Sequence, residues 1–337
     1  MQLRLKQSAK VLNWAAQVIG LAFGMMTIGY FVGRLLVGER LWVIELISSL
    51  MPTILFPTFI FAIYPVITRR KRLALVHVPA LALMIIQYTP QLLPHFNNLD
   101  PENDLRVLTY NLASISTDSA RLANVIRSAN ADVVALQELL SPTAAALTEE
   151  LADLYPYHAL HANDAFARGV GIFSRYPIVD DLYLDHMVLG GQRVRLVFEE
   201  TEITIFNVHP VSPRTLPPFD SSVRGQEIVS VLEMAAHDAN PHLLVGDFNI
   251  TDQTEDYAHI AAGYGDAFRA SGVGFGFSFP NLTRFGRLAR LVPPFIRIDY
   301  VFYDEHWGAL TARVLGDHGG SDHYPVYAEL TLFRSSG

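Results

Sequence analysis

The stretch HLLVGDFNI (residues 242–250) decides how the second part of this chain is read. Leu243, Leu244 and Val245 form a short apolar run that Gly246 closes, and Asp247 and Asn249 follow on either side of Phe248. Such a run reads as a buried strand with polar side chains presented at its C-terminal end. Alone, Asp247 is more simply a turn former that bonds its own backbone. The same arrangement recurs, however, and the recurrence changes its meaning. Asn111 follows VLTY, Glu138 follows VVALQ and His209 follows IFNV, while Asp322 and His323 stand in GGSDHYPV (319–326), just ahead of an apolar run.

Working outward from these points, apolar runs alternate with helical patterns from Leu105 onward. LRVLTYN, DVVALQE, GVGIFS, VRLVFE, ITIFNVH, HLLVGDFN, IRIDYVFY and YPVYAELTLF read as strands, and 118–130, 142–153 and 221–238 read as helices. Residues 105–337 therefore read as one α/β domain. Residues 1–93 read differently, as a membrane domain. Val11–Gly33, Leu41–Thr68 and Leu73–Leu93 are apolar stretches of 23, 28 and 21 residues, and roughly 20 helical residues cross a bilayer core of about 30 Å. Three transmembrane helices are predicted, at about 11–33, 41–68 and 73–93, with Pro52, Pro57 and Pro65 kinking or breaking the second. The polar PHFNNLDPEND (94–104) reads as a linker.

Charge divides the chain at the same place. Residues 1–98 hold nine Lys/Arg against two Asp/Glu, and the remainder holds 16 Arg and no Lys against 31 Asp/Glu, a net charge of −15. Nucleic-acid surfaces draw much of their affinity from basic stripes, so nucleic acid is read as an unlikely partner. The absence of cysteine excludes disulfides and thiolate metal sites.

TYNL, LQE, GVGIFSRYPI, NVHP, GDFN, RIDYVF and SDHYPV, in this order over residues 105–333, resemble the endonuclease/exonuclease/phosphatase superfamily. The resemblance implies a four-layer α/β/β/α sandwich with a Mg²⁺-dependent phosphohydrolase site, Mn²⁺ being an alternative ion. Carried over by position, Glu138 looks like the main metal carboxylate, Asn111 its neighbour, and Asp322 a residue beside the metal. Asp247 looks like the group that positions and deprotonates water, and Asn249 like a holder of phosphoryl oxygens. Asp299 looks like the partner orienting His323, and His209 like the histidine that contacts phosphate or assists the leaving group. Such chemistry needs hard oxygen ligands and donors for equatorial phosphoryl charge. Whether Asp247 or His323 is the base stays open. Of the two Asp-His pairs in GDHGGSDHYPV, only Asp322-His323 directly precedes a strand, so Asp317-His318 reads as an exposed loop.

Arg4, Lys6 and Lys10 precede the first apolar stretch, and Arg69, Arg70, Lys71 and Arg72 separate the second and third. Lys and Arg beside membrane helices stay cytoplasmic. Three crossings of a cell (inner) membrane would then place residues after 93 on the extracytoplasmic side. In LTRFGRLARLVPPF (282–295), Arg284, Arg287 and Arg290 alternate with Phe285, Leu288 and Leu291, which reads as a packed loop or as a substrate-binding lip facing headgroups. This architecture resembles the VanJ-type membrane phosphatases linked to glycopeptide resistance. It implies a lipid bilayer as partner and a lipid-linked phosphate or pyrophosphate as substrate. A tethered phosphodiesterase of phospholipid or sphingomyelin headgroups is the next reading, and a surface nuclease the third. No protein partner is inferred.

Overall fold

The computed structural model describes residues 2–53, 56–93, 99, 103–114, 118–165, 167–214, 216 and 218–333. Two compact units make up the chain. One comprises Met1–Leu92 with Leu216–Phe219 and Gln253–Glu255; the other comprises Leu93–Thr215, Asp220–Asp252 and Asp256–Gly337. Most of the linker expected at 94–104 lies outside the described residues, as do the side chains of Arg4, Lys6 and Arg72.

The first unit is helical: α1 (Gln2–Val37), α2 (Trp42–Ser49), α3 (Pro57–Thr68) and α4 (Lys71–Leu92). Among the described residues two helical stretches, not three, are long and apolar enough to cross a membrane: Lys10–Arg40 and Leu73–Leu92. The expectation of a third spanning helix at 41–68 is corrected. At about 1.5 Å per residue, α2 and α3 reach only about 12 and 18 Å, because Pro52 and Pro57 lack the amide hydrogen that would continue the ladder between them. Both still run alongside α1. Ser48 meets Tyr30 (3.1 Å), Thr58 meets Thr27 (2.7 Å), and the Tyr64 hydroxyl donates to Asn13. Partners thus advance along α2 and α3 as they recede along α1, an antiparallel course. Arg70 donates to Gln17 at one end, and farther along α4 the His77 ring lies against Gly20 and Gly24.

In the second unit β1 (Asp104–Asn111), α5 (Ser119–Ala129), β2 (Val133–Gln137), α6 (Ser141–Glu150), β3 (Tyr157–His161) and β4 (Val170–Ser174) come first. Next are β5 (Ile178–Tyr183), β6 (Gly191–Phe198), β7 (Thr201–Val208), α7 (Ser222–Ala236), β8 (His242–Asp247) and α8 (Glu255–Ala261). Then β9 (Gly265–Asp266), α9 (Ala267–Ser271), β10 (Asp299–Tyr303), β11 (Trp307–Val314) and β12 (Val326–Leu332) complete an α/β catalytic domain. The strands form two six-stranded sheets, ordered β11-β12-β1-β2-β4-β3 and β5-β6-β7-β8-β10-β9.

Side-chain alternation explains the packing. Leu105 and Val107 of β1 join one core with Val194, Ile205, Leu243 and Val245 of the other sheet. Leu108 and Tyr110, on the opposite face, join Leu122, Ile126 and Leu147 of α5 and α6. Likewise Leu244 turns away from the shared core toward Ile228 and Val231 of α7. Strands buried on both faces read as continuous apolar runs, and each fully buried Leu or Val contributes about 1.5–3 kcal/mol. Helix α5 starts where the Asp118 side chain accepts from the Arg121 amide (3.1 Å) and stops at Asn130, which takes the left-handed conformation at φ 50°.

Between the sheets lies a polar tie. Gln137 Nε2 donates to Asn207 Oδ1 (2.7 Å), and Asn207 Nδ2 donates to the Leu136 (3.0 Å) and Gly171 (3.1 Å) carbonyls. Gly246 sits beside this seam at φ 144°, where an added Cβ would stand 1.9 Å from the Val208 carbonyl oxygen. Gly246→Ala should therefore cost about 3 kcal/mol and lower the melting temperature of this unit by roughly 6–12 °C, measurable by scanning calorimetry of the full chain.

Candidate active site

Strand direction alone gathers the polar residues. Strands β1 and β2 are parallel, as are β7 and β8. Asn111 ends β1, Glu138 follows the end of β2, His209 follows the end of β7 and Asp247 ends β8. Strand β10 runs antiparallel to β8, so its first residue, Asp299, pairs with Asp247. Strand β12 runs antiparallel to β1, so the segment before it, carrying Asp322 and His323, returns to the same edge.

The side chains meet there in one continuous chain of contacts. Asn111 Nδ2 donates to Glu138 Oε1 (3.1 Å) and to Asp247 Oδ2 (3.1 Å). Asp247 Oδ2 also lies 3.5 Å from His209 Nε2 and 3.7 Å from His323 Nε2. His323 Nδ1 stands 3.0 Å from Asp299 Oδ2. Asn249 donates from its backbone to Asp247 Oδ1 (3.0 Å) and from Nδ2 to the Pro210 carbonyl (2.9 Å). All but Glu138, Asn249 and Asp322 are buried. Ala113, Glu138 and Asn249 have φ of 55°, 57° and 52°; L-residues held in the left-handed region concentrate at functional sites.

Several residues that sequence reading missed hold this cluster. Ser114 donates from its amide (2.8 Å) and hydroxyl (2.7 Å) to Glu138 Oε2. Ser321 Oγ donates to the Asn111 carbonyl (2.7 Å) and accepts from the His323 amide (3.0 Å). Asn281 donates to the backbone oxygens of Asp322 (2.6 Å) and Ser321 (2.7 Å). Buried Arg224 spans Asp256 (2.9 Å) and the Asn249 carbonyl (2.8 Å). Ser321 lay in a quoted motif, but the others carry no local signal, because their partners are distant in the chain.

Arg287 and Arg290 are exposed on the 281–295 loop, outside the hydrogen-bonded cluster, and the Arg284 side chain lies outside the described residues. The Asp317-His318 pair lies in a loop as expected, and Asp317 is exposed, but His318 is not. It is half-buried, bonds Asn281 (2.9 Å), and its carbonyl accepts from the Tyr110 hydroxyl (2.6 Å).

Electrostatics set the protons. Burial pushes the Asp247 carboxyl above its ordinary value, with Asp299 adding to the rise and His323 opposing it. Burial works against the charged form of His323, but Asp299 and then Asp247 outweigh it and push the imidazole up to about 10. Burial also works against ionised Glu138; His209 and the Ser114 hydrogen bonds outweigh it and hold the carboxyl below its usual range. Asp247, Asp299 and His323 each offer one ligand atom within 4.8 Å of the others, a group that can hold a metal ion when the imidazole is neutral. Ionised Glu138 with the Asn111 amide adds hard donors next to it, which fits a divalent cation.

The His323–Asp299 pair gives a stability signature. The folded value exceeds the ordinary 6.5, so its stabilisation is complete below that pH and is lost as pH rises through about 10. Asp299→Asn should move the His323 titration downward by more than about one unit, read from its ring proton shifts by NMR. An unmoved titration would assign the shift to another group.

Comparison with known proteins agrees with this geometry. Residues 108–323 match the model of the Endonuclease/Exonuclease/phosphatase family. No curated protein matches the chain. An endonuclease/exonuclease/phosphatase structure from Bacteroides vulgatus is 18% identical, covers 68% of this chain and 100% of its own, and has a TM-score of 0.55. Another, from Beutenbergia cavernae DSM 12333, is 22% identical over 69% of this chain and 72% of its own, with a TM-score of 0.53. D. rerio TDP2 complexed with a single strand DNA product is 17% identical over 68% of this chain and 100% of its own, with a TM-score of 0.54. That complex corrects the expectation that nucleic acid is an unlikely partner, since a protein of this fold is solved with a single strand DNA product bound. By the match over residues 108–323 the chain belongs to the endonuclease/exonuclease/phosphatase family, and with its Asp247, Asp299 and His323 cluster it is a metal-dependent phosphoric ester or anhydride hydrolase.

Proposed function

We propose that this protein is a membrane-anchored, extracytoplasmic phosphohydrolase that uses Mg²⁺, with Mn²⁺ as an alternative, to cleave a lipid-linked phosphate or pyrophosphate. The observation that carries the reading is the unbroken run Asp299–His323–Asp247–Asn111–Glu138 in a chain that also holds two helices able to cross a membrane. The four-layer sandwich and the VanJ-type kinship belong to the same proposal. So does the division into a membrane domain, 1–93, a linker, 94–104, and a catalytic domain, 105–337.

Glu138 and Asn111 would hold the ion, with Asp322 beside it. A bound divalent ion supplies positive charge to the phosphoryl oxygens. Asp247, raised toward neutrality, is suited to orient the attacking water and accept its proton. His323, held as the imidazolium by Asp299, offers charge rather than a lone pair, which favours Asp247 as the base. His209, facing Asp247, and the Asn249 amide then donate to phosphoryl oxygens or the leaving group.

A second reading, cleavage of a nucleic-acid phosphodiester, is favoured by the DNA-bound D. rerio fold relative. Polyprenyl pyrophosphate, sphingomyelin and single-stranded DNA assayed side by side test both. The lipid reading expects phosphate release from the polyprenyl substrate, abolished by EDTA and restored by Mg²⁺. Glu138→Gln and Asp247→Asn should each lower kcat by roughly 10²- to 10⁴-fold. Cleavage of the DNA alone would replace the lipid reading.

The location draws support from the antiparallel course of α2 and α3 along α1, which lets the two short helices together make one broken crossing. Because the chain lacks cysteine, Asp317→Cys and Arg70→Cys are each unique labels. In intact cells an impermeant maleimide should react with the Asp317→Cys variant and spare the Arg70→Cys variant. The opposite pattern would place the catalytic domain in the cytoplasm.

A further inference from the structure

We propose that the 281–295 loop is a lip that inserts apolar side chains into an anionic bilayer surface and presents a membrane-borne phosphate to the site. The inference rests on the lipid reading above. The loop leaves and rejoins the fold at one point, where the Ile296 amide donates to the Phe279 carbonyl (2.8 Å). Its base is fastened to the catalytic edge. The Phe279 ring lies 4.7 Å from the His323 ring, and Asn281 bonds the backbone on either side of the Ser321–Asp322 peptide. Lip and catalytic imidazole therefore share one anchor.

The outer part of the loop has the composition of an interfacial element. Phe285, Leu288 and Leu291 are 67%, 82% and 78% exposed, and the neighbouring Arg287 and Arg290 are exposed as well. No Asp or Glu occurs from 267 to 298, whereas the residues after 98 carry a net charge of −15. Cations are thus gathered where the apolar side chains are. An anionic lipid surface satisfies both, with guanidinium groups on the phosphates and apolar side chains below them. A nucleic-acid strand would stack on Phe285 and meet the arginines, yet leave Leu288 and Leu291 in water. The same chain carries helices long and apolar enough to cross a membrane.

The test uses the full chain in nanodiscs containing phosphatidylglycerol. Leu288→Cys carrying an environment-sensitive fluorophore should be quenched by nitroxide-labelled lipid, whereas a label at Val179→Cys, an exposed position on β5, should not. Leu288→Glu should lower kcat/KM on polyprenyl pyrophosphate by roughly tenfold or more while leaving a soluble aryl phosphoester within about twofold. A Leu288→Cys label that stays in water, or is shielded by single-stranded DNA and not by lipid, would overturn the lip. Lipid-phosphate hydrolysis persisting in that case would leave the substrate reading standing. Quenching by lipid without any hydrolysis of lipid phosphate would sustain the lip and end the substrate reading.

Discussion

Everything at the catalytic edge depends on the Asn111 amide. Its two N–H bonds reach Glu138, on the same sheet, and Asp247, on the other. A side chain with two donors and no charge can bridge two carboxylates without adding a positive centre between them. It ties the two acids together while each keeps its own environment. Glu138 stays ionised and half-exposed, and Asp247 is drawn toward neutrality by burial. Two carboxyl groups with separated proton affinities can divide ligand and base duties.

The interior behind that edge is correspondingly specific. A purely apolar contact between the sheets would tolerate sliding by one pleat, but the Gln137–Asn207 amide pair fixes one register. Asn207 spends its donors on carbonyls of β2 and β4, so a slip would strand buried polar groups at a cost of about 1–3 kcal/mol each. Register at the seam becomes position at the edge, because Asn111, Gln137 and Val208 are the last residues of their strands.

The sequence made these strand ends legible for a physical reason. The central strands are buried on both faces and appear as apolar runs, and a polar residue at the end of such a run stands out. Edge strands gave less. Strand β5, IVDDLY, alternates exposed and half-buried residues with none fully buried, and β3, YHALH, is largely polar, so neither showed the signature of burial. The third spanning helix was overread because hydropathy sums over prolines that interrupt the backbone ladder. Ser114, Asn281 and Arg224 escaped because a hydrogen bond to a residue distant along the chain leaves no trace in local pattern.

Strand order has a consequence for how the protein comes into being. Strand β12 lies between β11 and β1, so the last of the described strands in chain order must enter beside the first strand of the domain. Ser321 and His323 arrive with it, later in the chain than Glu138 and Asp247. The contacts of His323 with Asp247 and Asp299, and of Ser321 with Asn111, can therefore close only once the strand at 326–332 is seated beside β1.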